Sequence, residues 1–500
     1  MHIRFGRENI NKIITPCLYV VLWTLVVLNM MRINMNSSEV PRQVFLFRAF
    51  VFLMILVLLI RKVRIISGPI VAFVTLMTGT IVSYLYRHNG DWGATYRDLL
   101  VGKYLTLMLI GVVIIDMIRT QKYTRLKDIC KVPAIWLLIS FVPIALVQFE
   151  NVYVLAAVYL ILLLTPIESE EWIKQVHFLA IGGYVSFVLL FAKSFIQNPD
   201  NYVDGRYIGN FLFPVTAGLI SSFGLICAIY LFTVEFRKNK KNYVLISTYA
   251  VGAIFAISMV LLSMNRASAV GFALLLFLFF IFFMGKVNRK KIIIRSVVCV
   301  VAVVVISVSG LWAMKTVSKI DTKDFLKRNE NNTLLKPVCY FIRKANYSFA
   351  PDVESSLFEN GTILRAIDNF SSSRLTLWTQ GIKTAELFPT EEFGVYYPNG
   401  EYMPHVHSQY ICLIRKYGYL GGIPLIFAHF YFLAISIKGC KKDLNRYYLS
   451  FMWMAYSVGL LFFEYIVWGM LPYCMLSVLI YPLLNIVKGE EKNNKCPGEL

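Results

Sequence analysis

Five hundred residues, 57% of them hydrophobic and only 16% charged, carry a formal charge of +21. Soluble globular chains average about 45–50% apolar and about 25% charged, so a soluble enzyme is excluded, and the same apolar excess excludes disorder. Nucleic-acid binding would need the basic residues gathered on one soluble face; here they fall between apolar segments, which leaves a polytopic membrane protein.

A spanning helix needs about 20 mostly apolar residues. In chain order the stretches that qualify are 13–31, 44–60, 66–86, 98–118, 132–148, 151–166, 174–195, 210–234, 242–262, 268–285, 292–313, 419–437, 447–467 and 469–486. The composition therefore predicts an all-α bundle of about fourteen spans, within a range of 12–14. Only the Phe149-Glu150 region separates 132–148 from 151–166, so that pair reads as one helix or two. The first run follows Arg4, Arg7 and Lys12, is too long for a signal sequence and lacks an Ala-x-Ala site, so it reads as a retained helix.

Lys and Arg in short loops set orientation. They concentrate at 61–64, 119–131, 237–241, 286–295 and 438–446, which follow helices 2, 4, 8, 10 and 12. The loop after helix 6, 165–175, is acidic and departs from the pattern. This parity puts both termini in the cytoplasm. It predicts membrane helices 1–11 over 1–313, a large outer loop with short helices over 314–418, helices 12–14 over 419–486 and a cytoplasmic tail over 487–500. From 315 to 401 about eleven basic residues face about eleven acidic ones, so the positive excess is cytoplasmic. The nine cysteines form no CxxC pair and no Cys/His cluster; neither a structural zinc site nor a disulfide framework is expected.

Inside the long loop, Leu375, Trp378, Ile382 and Ala385 recur at helical spacing, with Ser371, Ser372 and Ser373 available as caps and Pro389 as a stop. A turn-rich piece follows from Gly394 to Gly400. A second helix is expected to begin near His407 and to break at Gly418, just before helix 12.

His405 and His407 lie two apart, on one face of a strand or on different faces of a helix. A zinc site would want three or four ligands and no third is near. Each histidine is either an interfacial residue satisfied by backbone or a general base poised near neutral pH. Arg266 sits in a tight turn between two spans at 263–267, where charge is costly and usually functional, unless the side chain snorkels to the interface. Arg206, before helix 8, and Arg374, in the loop, are solvated loop residues or anion ligands. Glu464 is an intramembrane carboxylate near the outer end of helix 13, which either pairs with one of these arginines or makes an unrelated polar contact.

This order of elements resembles the bacterial O-antigen ligase and O-antigen (polysaccharide) polymerase family. The residues that carry it are the Asn265-Arg266-Ala267 turn, Arg374-Leu375-x-x-Trp378 in a long loop, a proline–glycine stretch, and His407-Ser408-x-x-x-x-Leu413 closing on Gly418-x-x-Gly421. The resemblance covers roughly 200–486, and the earlier helices match only as a count. It implies a glycosyltransferase C-like membrane enzyme in the bacterial inner membrane with its large loop periplasmic. The donor would be a glycan on undecaprenyl pyrophosphate and the acceptor a glycan or lipid. A flippase and a chain-length regulator would be partner proteins, beside membrane lipids, with no nucleic acid. The family histidine matches His407, and its arginines match Arg206, Arg266 and Arg374; His405 is an added substrate-binding candidate. The chain departs at Ser408, often Asn in the family, and at Arg415-Lys416, where an acidic residue is common.

The chemistry suits these residues. Breaking a sugar–pyrophosphate bond builds negative charge on the leaving phosphates, which arginine forks match in geometry. A base must take the acceptor proton, and the anomeric centre would invert. No Asp-x-Asp motif lies in the outer segments, so neither a metal nor another cofactor is expected. The extra helices and altered acceptor side favour a polymerase, which extends a lipid-linked repeat unit, over a ligase, which transfers to lipid A–core. A lipid-linked oligosaccharide flippase would show repeated halves with polar sites at midmembrane; this chain gathers its polar candidates on one side. A scaffold explains none of the arginines.

Overall fold

The computed structural model describes residues within 16–28, 169–283, 294–301, 316–317, 322–329, 338–343, 365–368, 373–388, 394–442 and 444–464. The elements in chain order are α1 (Ser169–Gln197), β1 (Tyr202–Val203), β2 (Arg206–Tyr207), α2 (Pro214–Phe236), α3 (Tyr243–Ser263), α4 (Arg266–Phe283), α5 (Lys323–Asn329), α6 (Arg374–Lys383), β3 (Val395–Tyr396), β4 (Tyr402–Met403), α7 (Gln409–Lys442) and α8 (Leu444–Phe463).

Local chemistry explains the helix starts. Pro214 opens α2, where a missing N–H is harmless. The Asn242 side chain accepts from the N–H groups of Val244 and Leu245 at the start of α3. Asn265 does the same for Ala267 and Ser268 at the start of α4. Among the described residues four stretches are long and apolar enough to cross a membrane: Val176–Gln197, Pro214–Phe236, Tyr243–Ser263 and Gln409–Lys441. Arg266–Phe282 and Tyr447–Phe463 are shorter apolar helices. The chain is a helical membrane protein, and these six coincide with the expected spans beginning at 174, 210, 242, 268, 419 and 447. The spans expected at 44–60, 66–86, 98–118, 132–148, 151–166 and 469–486 lie outside the described residues, while 13–31 and 292–313 are described only in part.

α2 is the hub. Its residues are buried along nearly the whole length, including Ala217, Ile220, Phe223, Ile226 and Tyr230. α1 docks through small residues: a Cβ on Gly183 would stand 2.7 Å from Cys227 Sγ, and one on Gly224 would stand 2.8 Å from Phe187 Cβ. A helical stretch within 16–28 packs on an adjoining face of α1, with Ser186 Oγ donating to Thr24 O at 3.0 Å and Tyr19 stacked on Phe178. α8 meets α2 through Phe223 and Trp453, ring centroids 5.0 Å apart. Val251 and Ile254 on α3, each 66% exposed, and Leu261, 67% exposed, form an apolar face stable only against hydrocarbon or further helices.

α4 and α8 run antiparallel. A Cβ on Gly459 would stand 2.9 Å from Gly271 Cα, so the backbones touch there. Ser268 Oγ and Tyr456 Oη hydrogen-bond at 3.0 Å, and Phe279 meets Tyr448 nearer the other end. This register puts the start of α4, with Arg266, level with Phe463 and Glu464.

The two ends of the bundle differ in chemistry. One carries Arg237, Lys238, Lys240, Lys241, Lys438 and Lys441. There Lys238 pairs with Glu235 at 2.5 Å, and Lys441 lies over Phe282 at 4.9 Å. The other end gathers the end of α1, the start of α2, the α3–α4 turn, the start of α7 and the end of α8. Among the described residues two short antiparallel pairings accompany the helices: Tyr202↔Tyr207 with Val203↔Arg206, and Val395↔Met403 with Tyr396↔Tyr402. Each is braced by a tyrosine pair, with centroids 5.4 Å and 5.2 Å apart.

Replacing Gly459 by Leu forces α4 and α8 apart where their backbones touch. The expected destabilisation is about 1–3 kcal/mol, read as a lower melting temperature of the detergent-purified protein. A Leu276→Ala control on the exposed face of α4 leaves that temperature nearly unchanged.

Candidate active site

α8 ends at Phe463, and the next residue, Glu464, is 7% exposed. Its backbone carbonyl accepts from the N–H of Gln409, the first residue of α7, at 3.0 Å. Its carboxylate serves two partners. Oε2 accepts from Arg374 Nη2 at 3.4 Å, and Oε1 lies 3.7 Å from His407 Nδ1. Arg374 also donates through Nη1 to the carbonyl of Phe463. Trp378, one turn along α6, packs edge-on against the Phe463 ring at 5.2 Å. Of the three side chains His407 is the most accessible, at 29%, against 14% for Arg374 and 9% for Glu464.

His407 stands in the turn before α7, with φ 49°. Left-handed backbone is uncommon for a residue with a side chain and marks an over-determined position. Burial on both sides imposes it. Val406 sits in a small core with Leu377, Val395 and Cys412, and Ser408 is buried with its carbonyl bonded to the N–H of Cys412. The helix expected to begin near His407 therefore begins two residues later, with the histidine outside it.

Arg374 is the first residue of α6. The expected serine cap is corrected: Ser373 is left-handed and makes no side-chain cap bond. The buried carboxylate of Asp368 caps instead, accepting from the N–H of Thr376 at 2.9 Å and from its hydroxyl at 2.6 Å. α6 also stops at Lys383, before the expected Pro389. The reason is tertiary, since the chain beyond Thr384 is drawn to the break in α7. Gly418 has φ 66° and ψ 175° there, which frees the N–H groups of Tyr419 and Leu420, and these donate to the carbonyls of Glu386 and Leu387 at 3.0 and 3.2 Å. Arg415, buried, clamps the same segment by donating to the carbonyls of Thr384 and Gly394, the latter at 2.7 Å. The basic pair Arg415-Lys416 is thus part of the scaffold, with Lys416 also buried.

Arg266 opens α4 at the level of Glu464, in the tight turn expected from the sequence. Arg206 lies in the β1–β2 hairpin at the same end, held down by Tyr207, whose ring stacks on Phe195 and whose hydroxyl bonds Ser194 at 3.0 Å. Burial raises the Tyr207 phenol above its usual range against the opposing effect of that bond. His405 lies outside the described residues. Arg206, Arg266, Arg374 and His407 therefore share one end of the bundle, and Glu464 joins the last two directly. Asp368 escaped the sequence reading and Arg415 was read there only as a departure on the acceptor side, because a carboxylate eight residues before Thr376 and a guanidinium 31 residues from Thr384 leave no local pattern.

Gly418→Ala puts a Cβ 2.5 Å from Leu387 O in backbone that side chains rarely adopt. A loss of about 1–3 kcal/mol is expected, with faster limited proteolysis within 384–418 and unchanged cleavage at 237–241.

Comparison of the chain with protein-family models, with curated proteins and with solved structures gives no match.

Proposed function

We propose that the protein is a polysaccharide polymerase of the O-antigen ligase-like family. It would transfer an undecaprenyl-pyrophosphate-linked glycan to a second lipid-linked repeat unit at the periplasmic face of the bacterial inner membrane. The proposal includes about fourteen spans in a glycosyltransferase C-like bundle, cytoplasmic termini and a large periplasmic loop over 314–418. The basic end of the bundle, at 237–241 and 438–441, would face the cytoplasm, which supports this orientation by the charge rule.

One observation carries the reading. Arg374 and His407, 33 positions apart in sequence, meet on one carboxylate at the end of the bundle where Arg266 opens α4. An accessible imidazole beside guanidinium groups at a membrane boundary suits phosphate-activated transfer. His407 takes the proton of the acceptor hydroxyl as that oxygen attacks the anomeric carbon. The bond from that carbon to the pyrophosphate oxygen breaks, and its electron pair leaves with the phosphates. Arg266, Arg374 and Arg206 stabilise that charge, and attack opposite the leaving group inverts the centre.

The test uses a strain lacking the chain, complemented with His407→Ala, Arg374→Ala or Arg266→Ala at matched membrane levels. Loss of a general base lowers transfer by about 10²–10⁴-fold, so His407→Ala should leave core capped with a single repeat and no ladder. The arginine variants should give sparse, short ladders. Lipid-linked polymer beside bare core in the deletion strain would mark a ligase instead, and a full ladder from His407→Ala would remove the base assignment.

A further inference from the structure

We infer that Glu464 is a positioning residue that sets the orientation and tautomer of His407, an inference that rests on the reading of His407 as the base. Its carboxylate faces Nδ1 at 3.7 Å, and its backbone carbonyl holds the N–H of Gln409, two residues after the histidine. One residue thus grips the His407 turn by both side chain and main chain. The backbone, left-handed at φ 49°, fixes the Cα but not the ring torsions. Nδ1 has essentially no accessible surface, whereas the side chain as a whole is 29% exposed, so the accessible part of the ring lies away from the carboxylate. A carboxylate opposite Nδ1 favours the proton there and leaves Nε2 with the lone pair that a base requires. The contact tightens to a hydrogen bond as the imidazole gains charge.

Arg374 makes the arrangement selective. Its guanidinium takes Oε2 and the Phe463 carbonyl, leaving Oε1 for the histidine. An amide at this position has a single acceptor oxygen. Arg374, which can only donate, would claim it, and the amide NH₂ would then face Nδ1. The histidine would carry its proton on Nε2 and lose its basic edge. Arg374 itself stays tethered through Phe463 O, so donor binding should change little.

The lipid-linked repeat unit that accumulates in a strain lacking the chain serves as substrate for full-length protein in proteoliposomes. Glu464→Gln should lower kcat at least about hundredfold, toward the about 10⁴-fold that a wrong tautomer costs where a carboxylate orients a catalytic histidine, with KM for the repeat unit within about twofold. Glu464→Asp keeps both oxygens and should fall between, about tenfold below wild type. Wild-type kcat in Glu464→Gln, or a loss confined to KM, overturns the inference. Should the glutamine variant not accumulate in the membrane, Glu464→Asp decides alone, and wild-type kcat there overturns it equally. His407→Ala runs beside them. Turnover retained in His407→Ala removes the base reading itself, whereas an inactive His407→Ala with full turnover in Glu464→Gln removes only the role given to Glu464.

Discussion

A carboxylate over nine-tenths buried at the rim of an apolar bundle is stable only when neutralised, because an unpaired buried charge is too costly to keep. Glu464 meets this demand with the guanidinium of Arg374 from α6, and the imidazole of His407 from the turn before α7 faces its other oxygen at 3.7 Å. Three distant pieces of chain therefore converge on one side chain. The backbone repeats the arrangement, since the carbonyls of Phe463 and Glu464 accept from Arg374 and Gln409. The end of α8 is thus both the last turn of a core helix and the anchor for the candidate site.

The segment between α6 and α7 obeys a second constraint. A helix broken inside an apolar protein leaves N–H groups that need partners. At Gly418 the partners are main-chain carbonyls of Glu386 and Leu387, so the break and the loop define one another. Arg415 adds two more carbonyls to the same knot. The result is a braced strap over the start of α7, beside which Val406 and Ser408 are buried on either side of the left-handed His407. A basic pair that reads in sequence as a change in the acceptor region is, in Arg415, a structural clamp.

Small residues govern the helix contacts. Gly271 and Gly459 bring α4 and α8 into backbone contact, and this registers Arg266 with Glu464. Four spans and two shorter apolar helices, the tight turn at Asn265-Arg266 and the break at Gly418 were legible in the chain because each has a local cause: a long apolar run, a capping amide, a glycine where the backbone turns left-handed. The end of α6 was not, because Pro389 is a local stop and the true stop is the carbonyl demand of α7. Nor was the Asp368 cap, which reaches in from beyond the serines. Of the candidate residues, residue chemistry left Arg206, Arg266, Arg374, His405 and His407 each with a bland reading beside the functional one, the resemblance weighted them, and Glu464 stayed undecided between an arginine and an unrelated contact. The structure resolves that choice with both an arginine and a histidine.

An apolar fraction of 57% and a charge of +21 determine, without any structure, a helical membrane protein with its basic residues between spans. Hydropathy and charge act through composition over windows of about 20 residues, so one chain suffices to read them. Only the tertiary structure decided which charges meet. Arg374 and Glu464 lie 90 positions apart, and a pairing at that distance depends on helix register and loop closure, which no local pattern records.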